Sequence, residues 1–135
     1  MSVRLATYED DQRLLDMLTA FNDEYYGVPI DPERASESIS RIRATGIVLV
    51  SDHGFIAGVP FDDPFRDQTI MVELGWYSTG SDGAVLLDQF IEYTFRHFPA
   101  SEIRMTTLAK SPKIAADILK RKGFVELETS HALYK

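Results

Sequence analysis

Residues 69–108 constrain the fold of this chain more than any other stretch. Thr69 to Tyr77 is an apolar run of strand composition, and from Gly83 the pattern changes to helical period, with Leu86, Leu87, Phe90, Ile91, Phe95 and Phe98 on one broad stripe ended by Pro99. Glu102 to Leu108 returns to strand composition. A strand, a helix and a strand in this order imply a crossover that sets two strands parallel, and the turn opening the helix is where such a sheet takes a ligand.

The flanking segments supply the rest of a sheet and its cover. Val3 to Ala6 reads as a short strand, and Thr7 with Asp10 makes a capping box for a helix carrying Leu14, Leu15, Leu18 and Phe21 on one face. Asp31 followed by Pro32 starts a second helix that stops at Gly46. Ile47 to Val50 and Phe55 to Val59, joined by Ser51-Asp-His-Gly54, read as a β-hairpin. Ser111-Pro112 opens a last helix through Ile114, Ala115, Ile118 and Leu119 to Gly123, and Phe124 to Tyr134 reads as one or two closing strands. No repeat, low-complexity tract or linker divides the chain, so one domain over residues 1–135 is expected.

Composition narrows the function. The absence of cysteine excludes disulfides, thiolate nucleophiles and cysteine-ligated metal, and suits a cytoplasmic protein. A formal net charge of −7 without a basic, aromatic-laced stripe argues against nucleic acid. No run approaches the ~20 apolar residues that span a bilayer, so no membrane partner is expected. His53, His97 and His131 lack metal-ligand spacing, so no metal is expected either.

Acidity does not exclude a small phosphate ligand, since backbone N–H groups at a helix start hold phosphate without basic side chains. In the turn from Glu73 to Leu87, Gly80 and Gly83 let the backbone bend and expose N–H groups at the positive end of the helix, although the same glycines also suit a plain tight turn. Asp82 opposes a phosphate there unless it points to solvent. Strand alternation places Glu73, Gly75 and Tyr77 on one face, opposite Val72, Leu74 and Trp76. Tyr25, Tyr26 and Tyr77 are candidate hydroxyl donors, site walls or core-edge residues. Lys110, Lys113, Lys120, Arg121 and Lys122 surround the last helix, as a solvated face or as partners for phosphate.

Three stretches together resemble the GNAT family of acetyl-CoA-dependent N-acetyltransferases across essentially the whole chain. They are Val3-Arg-Leu-Ala-Thr-Tyr-Glu-Asp10, the strand, turn and helix ending in Gly83-Ala-Val-Leu-Leu87, and Ala115-Ala-Asp-Ile-Leu-Lys-Arg-Lys-Gly-Phe124. The resemblance implies an α/β (α+β) fold, a mixed six- to seven-stranded sheet flanked by about four helices. It implies acetyl-CoA as co-substrate, held along Trp76, Tyr77, Ser78, Thr79, Gly80, Ser81, Asp82, Gly83 and Ala84, with a bulge or splay in the fourth strand freeing backbone for the pantetheine arm. Direct transfer to a small-molecule or peptide amine follows, with Glu73 as the candidate base where the alternative is a solvent-facing residue of a half-exposed strand, and with Tyr25, by its residue type, as a candidate acid; a homodimer is compatible with this. The chain departs from the family pattern at Ser78, where Arg or Gln is usual, at Ser81, where Gly is usual, and at Leu119, the slot that often carries the tyrosine acid. A leucine cannot protonate a thiolate. The alternative reading is therefore a non-catalytic relative, a coenzyme-A-binding or assembly module, of phage-like style.

Overall fold

The expected crossover forms, and it sets the geometry of everything around it. The computed structural model describes residues 2–135. In chain order the elements are β1 (Arg4–Leu5), a short 3₁₀ turn (Tyr8–Asp10), α1 (Asp11–Tyr25), α2 (Pro32–Thr45), β2 (Ile47–Val50), β3 (Gly54–Asp62), β4 (Thr69–Ser78), α3 (Gly83–His97), β5 (Ala100–Arg104) and α4 (Lys113–Arg121). The sheet runs β1-β2-β3-β4-β5, with antiparallel neighbours up to β4 and a parallel β4–β5 pair produced by the α3 crossover.

Local chemistry fixes the helix ends. Asp10 accepts the Thr7 N–H at 2.8 Å and pairs with Arg4 at 2.7 Å, which ties the start of α1 to β1. Asp31 accepts the Arg34 N–H at 3.1 Å with Pro32 at the first position of α2. Beyond α4, Gly123 takes a left-handed φ of 94°, a conformation that stops the helix without a Cβ penalty.

Both faces of the sheet are covered, so β2 is buried throughout and reads as a continuous apolar run instead of an alternating one. Ile47, Leu49, Ile56 and Met71 pack with Leu86, Leu87 and Phe90 of α3 and Leu119 of α4. On the other face Val48, Val50, Phe55 and Ala57 pack with Leu14 of α1 and Ile39 of α2.

Two expectations are corrected. The sheet has five strands among the described residues, not six to seven, because residues 124–134 form no ladder. Phe124 packs against the α3-side core, but Val125 and Leu133 are 83% and 99% exposed, so the apolar alternation of this segment finds no surface to cover. The strand expected over residues 102–108 spans Ala100–Arg104 instead, and its pairing with β4 ends at Val72 and Arg104. Among the described residues no helix is long and apolar enough to cross a membrane.

Candidate active site

The site begins with a break in β4. Ala57 pairs with Gly75 and Gly58 with Glu73, so Leu74 has no partner and forms a bulge. A bulge reverses the alternation of the strand that carries it. A Cβ built on Gly58, opposite Glu73, would meet Phe90 of α3, whereas one on Gly75 would meet the Phe55 ring on the α1/α2 side. Cross-strand partners share a face. Glu73 therefore belongs to the α3 side and Tyr77, in the second cluster with Phe55, to the α1/α2 side. Strict alternation, which grouped Glu73 with Gly75 and Tyr77, is corrected by this one residue.

Past the same point β4 and β5 separate. Their pairing ends at Val72 and Arg104, leaving the backbone from Glu73 to Ser78 without a neighbour on the β5 side. Glu73 Oε1 accepts the Thr106 N–H at 3.0 Å across this mouth, and its Oε2 has no hydrogen-bond partner among the described residues. Burial pushes the Glu73 carboxyl up to about 7, opposed by the Thr106 hydrogen bond. A carboxyl group poised there can exchange a proton near neutral pH.

The turn between β4 and α3 is braced from inside. Asp82 is fully buried, and its carboxylate accepts the Ser78 hydroxyl and the His53 N–H, the latter at 3.2 Å. Burial raises its pKa, but hydrogen bonds from Ser51, Ser78 and His53 outweigh that and hold it below the ordinary value. Asp82 points neither to solvent nor along α3, and it accepts no hydrogen bond from the helix amides. The first α3 amide with a backbone acceptor is Leu86, which reaches the Asp82 carbonyl at 2.9 Å, so the N–H groups of Gly83, Ala84 and Val85 remain open. The Thr79 and Gly80 amides, by contrast, are already committed, to the His53 carbonyl at 2.9 Å and Ser78 Oγ at 3.0 Å. Trp76 Nε1 donates to the Gly83 carbonyl at 2.9 Å and locks the helix start to the strand.

Of the basic residues around α4, Arg121 and Lys122 line a cavity of about 210 Å³ with Ile118 and Ala84, beside the first turn of α3. Lys122 also pairs with Asp88 at 2.6 Å. Lys110, Lys113 and Lys120 are not part of this cavity. Leu119 packs in the α3-side core.

The tyrosines gather where α1 ends over β4. Phe21 contacts Tyr25, Tyr26 and Tyr77 with ring centroids 5.2, 5.9 and 5.9 Å apart. Burial raises the Tyr26 phenol and the Glu73 charge raises it further, whereas Tyr25 is raised by burial and by Glu24. Among the described residues no cluster of histidine, aspartate and glutamate has the arrangement of a metal site. Sequence reasoning missed Thr106, which acts through its backbone, and Ser51 and His53, which reach Asp82 across 29 or more positions with no local signal.

At the level of sequence no family model matches the chain and no curated protein matches it. Solved structures do match by fold. The ribosomal-protein-alanine N-acetyltransferase of Brucella melitensis biovar Abortus 2308 superposes with a TM-score of 0.74 at 12% identity over 100% of both chains. An aminoglycoside acetyltransferase from an uncultured soil metagenomic sample gives 0.69 at 12%, over 99% of this chain and 97% of its own. A GNAT family acetyltransferase of Staphylococcus aureus gives 0.65 at 15%, over 99% and 98%. At such identities the likeness is one of fold, and function has to be argued from the site.

Proposed function

We propose that this chain, which has the fold of the GNAT acetyltransferases, is an acetyl-CoA-dependent N-acetyltransferase acting by direct transfer to an amine. The observation that carries the reading is the splay between β4 and β5 with the Glu73 carboxylate inside it. The mouth offers unpaired backbone from Glu73 to Ser78 to an extended pantetheine arm, in the manner of strand addition. The open amides of Gly83, Ala84 and Val85 suit a pyrophosphate at the positive end of α3, and Arg121 and Lys122 add positive charge beside them. Asp82 is compatible with this because its charge is turned inward and spent on Ser51, Ser78 and His53.

Acetyl-CoA supplies a thioester-activated acetyl group. Glu73 accepts the proton that the acceptor nitrogen must lose as the carbon–nitrogen bond forms and the carbon–sulfur bond breaks, so an amine and a thioester become an amide and a thiol. With Leu119 in the core, no tyrosine on α4 protonates the departing sulfur, and that proton comes from solvent. Tyr25, a candidate acid from sequence, packs instead in the aromatic cluster around Phe21 with Tyr26 and Tyr77. Transfer is accordingly slow relative to an enzyme with a dedicated acid, whose contribution is roughly 10²- to 10⁴-fold.

The test is a thermal shift with millimolar acetyl-CoA followed by an amine-dependent thiol-release assay, since a ligand of the native state raises its stability. Stabilisation and turnover support the enzyme. Leu119 favours the second reading, a non-catalytic relative, which stabilisation without turnover across a broad amine panel establishes; no stabilisation at all removes acetyl-CoA from the account.

A further inference from the structure

The two edges of the sheet differ in what they offer a neighbour. β1 is only Arg4–Leu5, too short to template another strand, whereas β5 runs Ala100–Arg104 and pairs on its β4 side alone among the described residues. The same chain carries an unused strand. Among the described residues, 125–134 make no ladder and no backbone hydrogen bond, and Val125, Leu127 and Leu133 are 83%, 61% and 99% exposed. In an extended segment alternation puts these three on one side and Glu126 and Glu128 on the other, an amphipathic strand with its apolar side in water. Phe124 anchors the start of the segment in the α3-side core, directly after the left-handed Gly123. Beyond Phe124 the one polar contact with the sheet among the described residues runs from Glu128 Oε1 to Arg104 Nη1 at 4.0 Å, too long for a hydrogen bond.

A free edge and a free strand in one chain are complementary, and the chain leaves them unjoined although they touch at Arg104. An exposed apolar strip beside an open sheet edge is a template for association. Two copies about a two-fold axis use both features at once, because each segment can zip onto the other copy's β5 while the apolar sides leave water. We infer that this face is an interface with a second copy of the chain, residues 125–134 of each copy adding a sixth strand beside the other's β5. The exchange costs little, since the Arg104–Glu128 pairing held loosely within one copy re-forms between copies. It does not depend on the acetyltransferase reading, which concerns the opposite side of β5.

The chain has no cysteine, so introduced thiols report without background. Sedimentation velocity of the wild type at micromolar concentration should show a dimer. Val125→Lys combined with Leu127→Lys changes exposed positions, so the fold should persist by circular dichroism while dimerisation weakens about tenfold or more, because charge then sits on a face the dimer buries. Geometry is read by cross-linking. Ser101→Cys on β5, carrying a mass tag, is mixed with untagged Val125→Cys, Leu127→Cys or Thr129→Cys and oxidised; a disulfide between tagged and untagged chains is expected for at least one of the three. A wild type that stays monomeric up to millimolar concentration, or a dimer indifferent to the double lysine substitution, overturns the proposal. So does a disulfide that forms only within one chain when Ser101→Cys is combined with each of the three, since that assigns the segment to its own edge.

Discussion

Glu73 Oε1 takes the Thr106 N–H at 3.0 Å across the gap where β4 and β5 have stopped pairing, so one oxygen is anchored while the other has no hydrogen-bond partner among the described residues. That division of labour within one carboxylate would orient the proposed base without blocking proton transfer.

Replacing Glu73 by Gln keeps the anchor and removes the proposed base. Cofactor stabilisation should survive, turnover should fall by about 10²-fold or more, and the pH profile should lose its acidic limb. In wild type that limb is set by a carboxyl raised to about 7, so kcat/KM should climb as pH rises toward 7 and level off above it. Stability runs the other way. A folded-state pKa above the unfolded value means that the neutral form is favoured in the fold, so this contribution is full below the ordinary carboxylate pKa and is lost as pH rises through about 7. Denaturation titrations of wild type and Glu73→Gln between pH 4 and 8 should diverge in that sense.

Asp82 has the opposite linkage. Its folded pKa lies below the ordinary value, so its contribution is present above the usual carboxylate range and disappears as pH falls through the folded pKa. Asp82→Ala leaves the Ser78 hydroxyl and His53 N–H short of an acceptor in a buried site, which should cost about 1–3 kcal/mol at pH 7. The gap between the variant and wild type in urea denaturation should narrow in acid; a gap independent of pH would mean the carboxylate is only a spacer.

Two glycines in the same region should respond differently to one methyl group. A Cβ on Gly54 would sit 2.1 Å from the Tyr77 carbonyl oxygen, a backbone atom that cannot rotate away, so Gly54→Ala should destabilise by roughly 1–3 kcal/mol or more. On Gly83 the nearest atoms are Trp76 Nε1 at 3.8 Å and Ser78 Cβ at 3.9 Å, ordinary contacts. Gly83→Ala should therefore fold with little change or a gain of up to about 1 kcal/mol from reduced freedom of the unfolded chain. Thermal melts compare the two directly. Any loss of acetyl-CoA affinity in Gly83→Ala then reports on the turn as a binding surface and not on folding.

Much of the fold was readable because its signals are local. Asp31-Pro32, Gly46 and Gly123 mark helix ends through their own backbone preferences, and the helical stripe from Leu86 to Phe90 shows in the spacing alone. The strand–turn–helix around Glu73 to Ala84 was also marked, by its glycines and by its place in a crossover. What escaped depended on distant partners. The Leu74 bulge exists only in the pairing of β4 with β3, the Thr106 contact is made by a backbone amide, and the inward turn of Asp82 depends on a hairpin 29 positions upstream. The segment after Phe124 failed in the reverse sense, since its alternation suits a strand but no edge in this structure pairs with it.

The bulge makes β4 two half-strands in opposite phase, spliced at a single residue. Met71 and Glu73 before the splice, and Trp76 and Ser78 after it, look toward α3, so odd numbers give way to even ones. Leu74 is thus a punctuation mark in the reading of the strand, and its loss is a frameshift in space. Deleting that one codon would leave the composition almost unchanged yet exchange inside for outside along one arm, sending either Glu73 or Trp76 to the wrong side of the sheet.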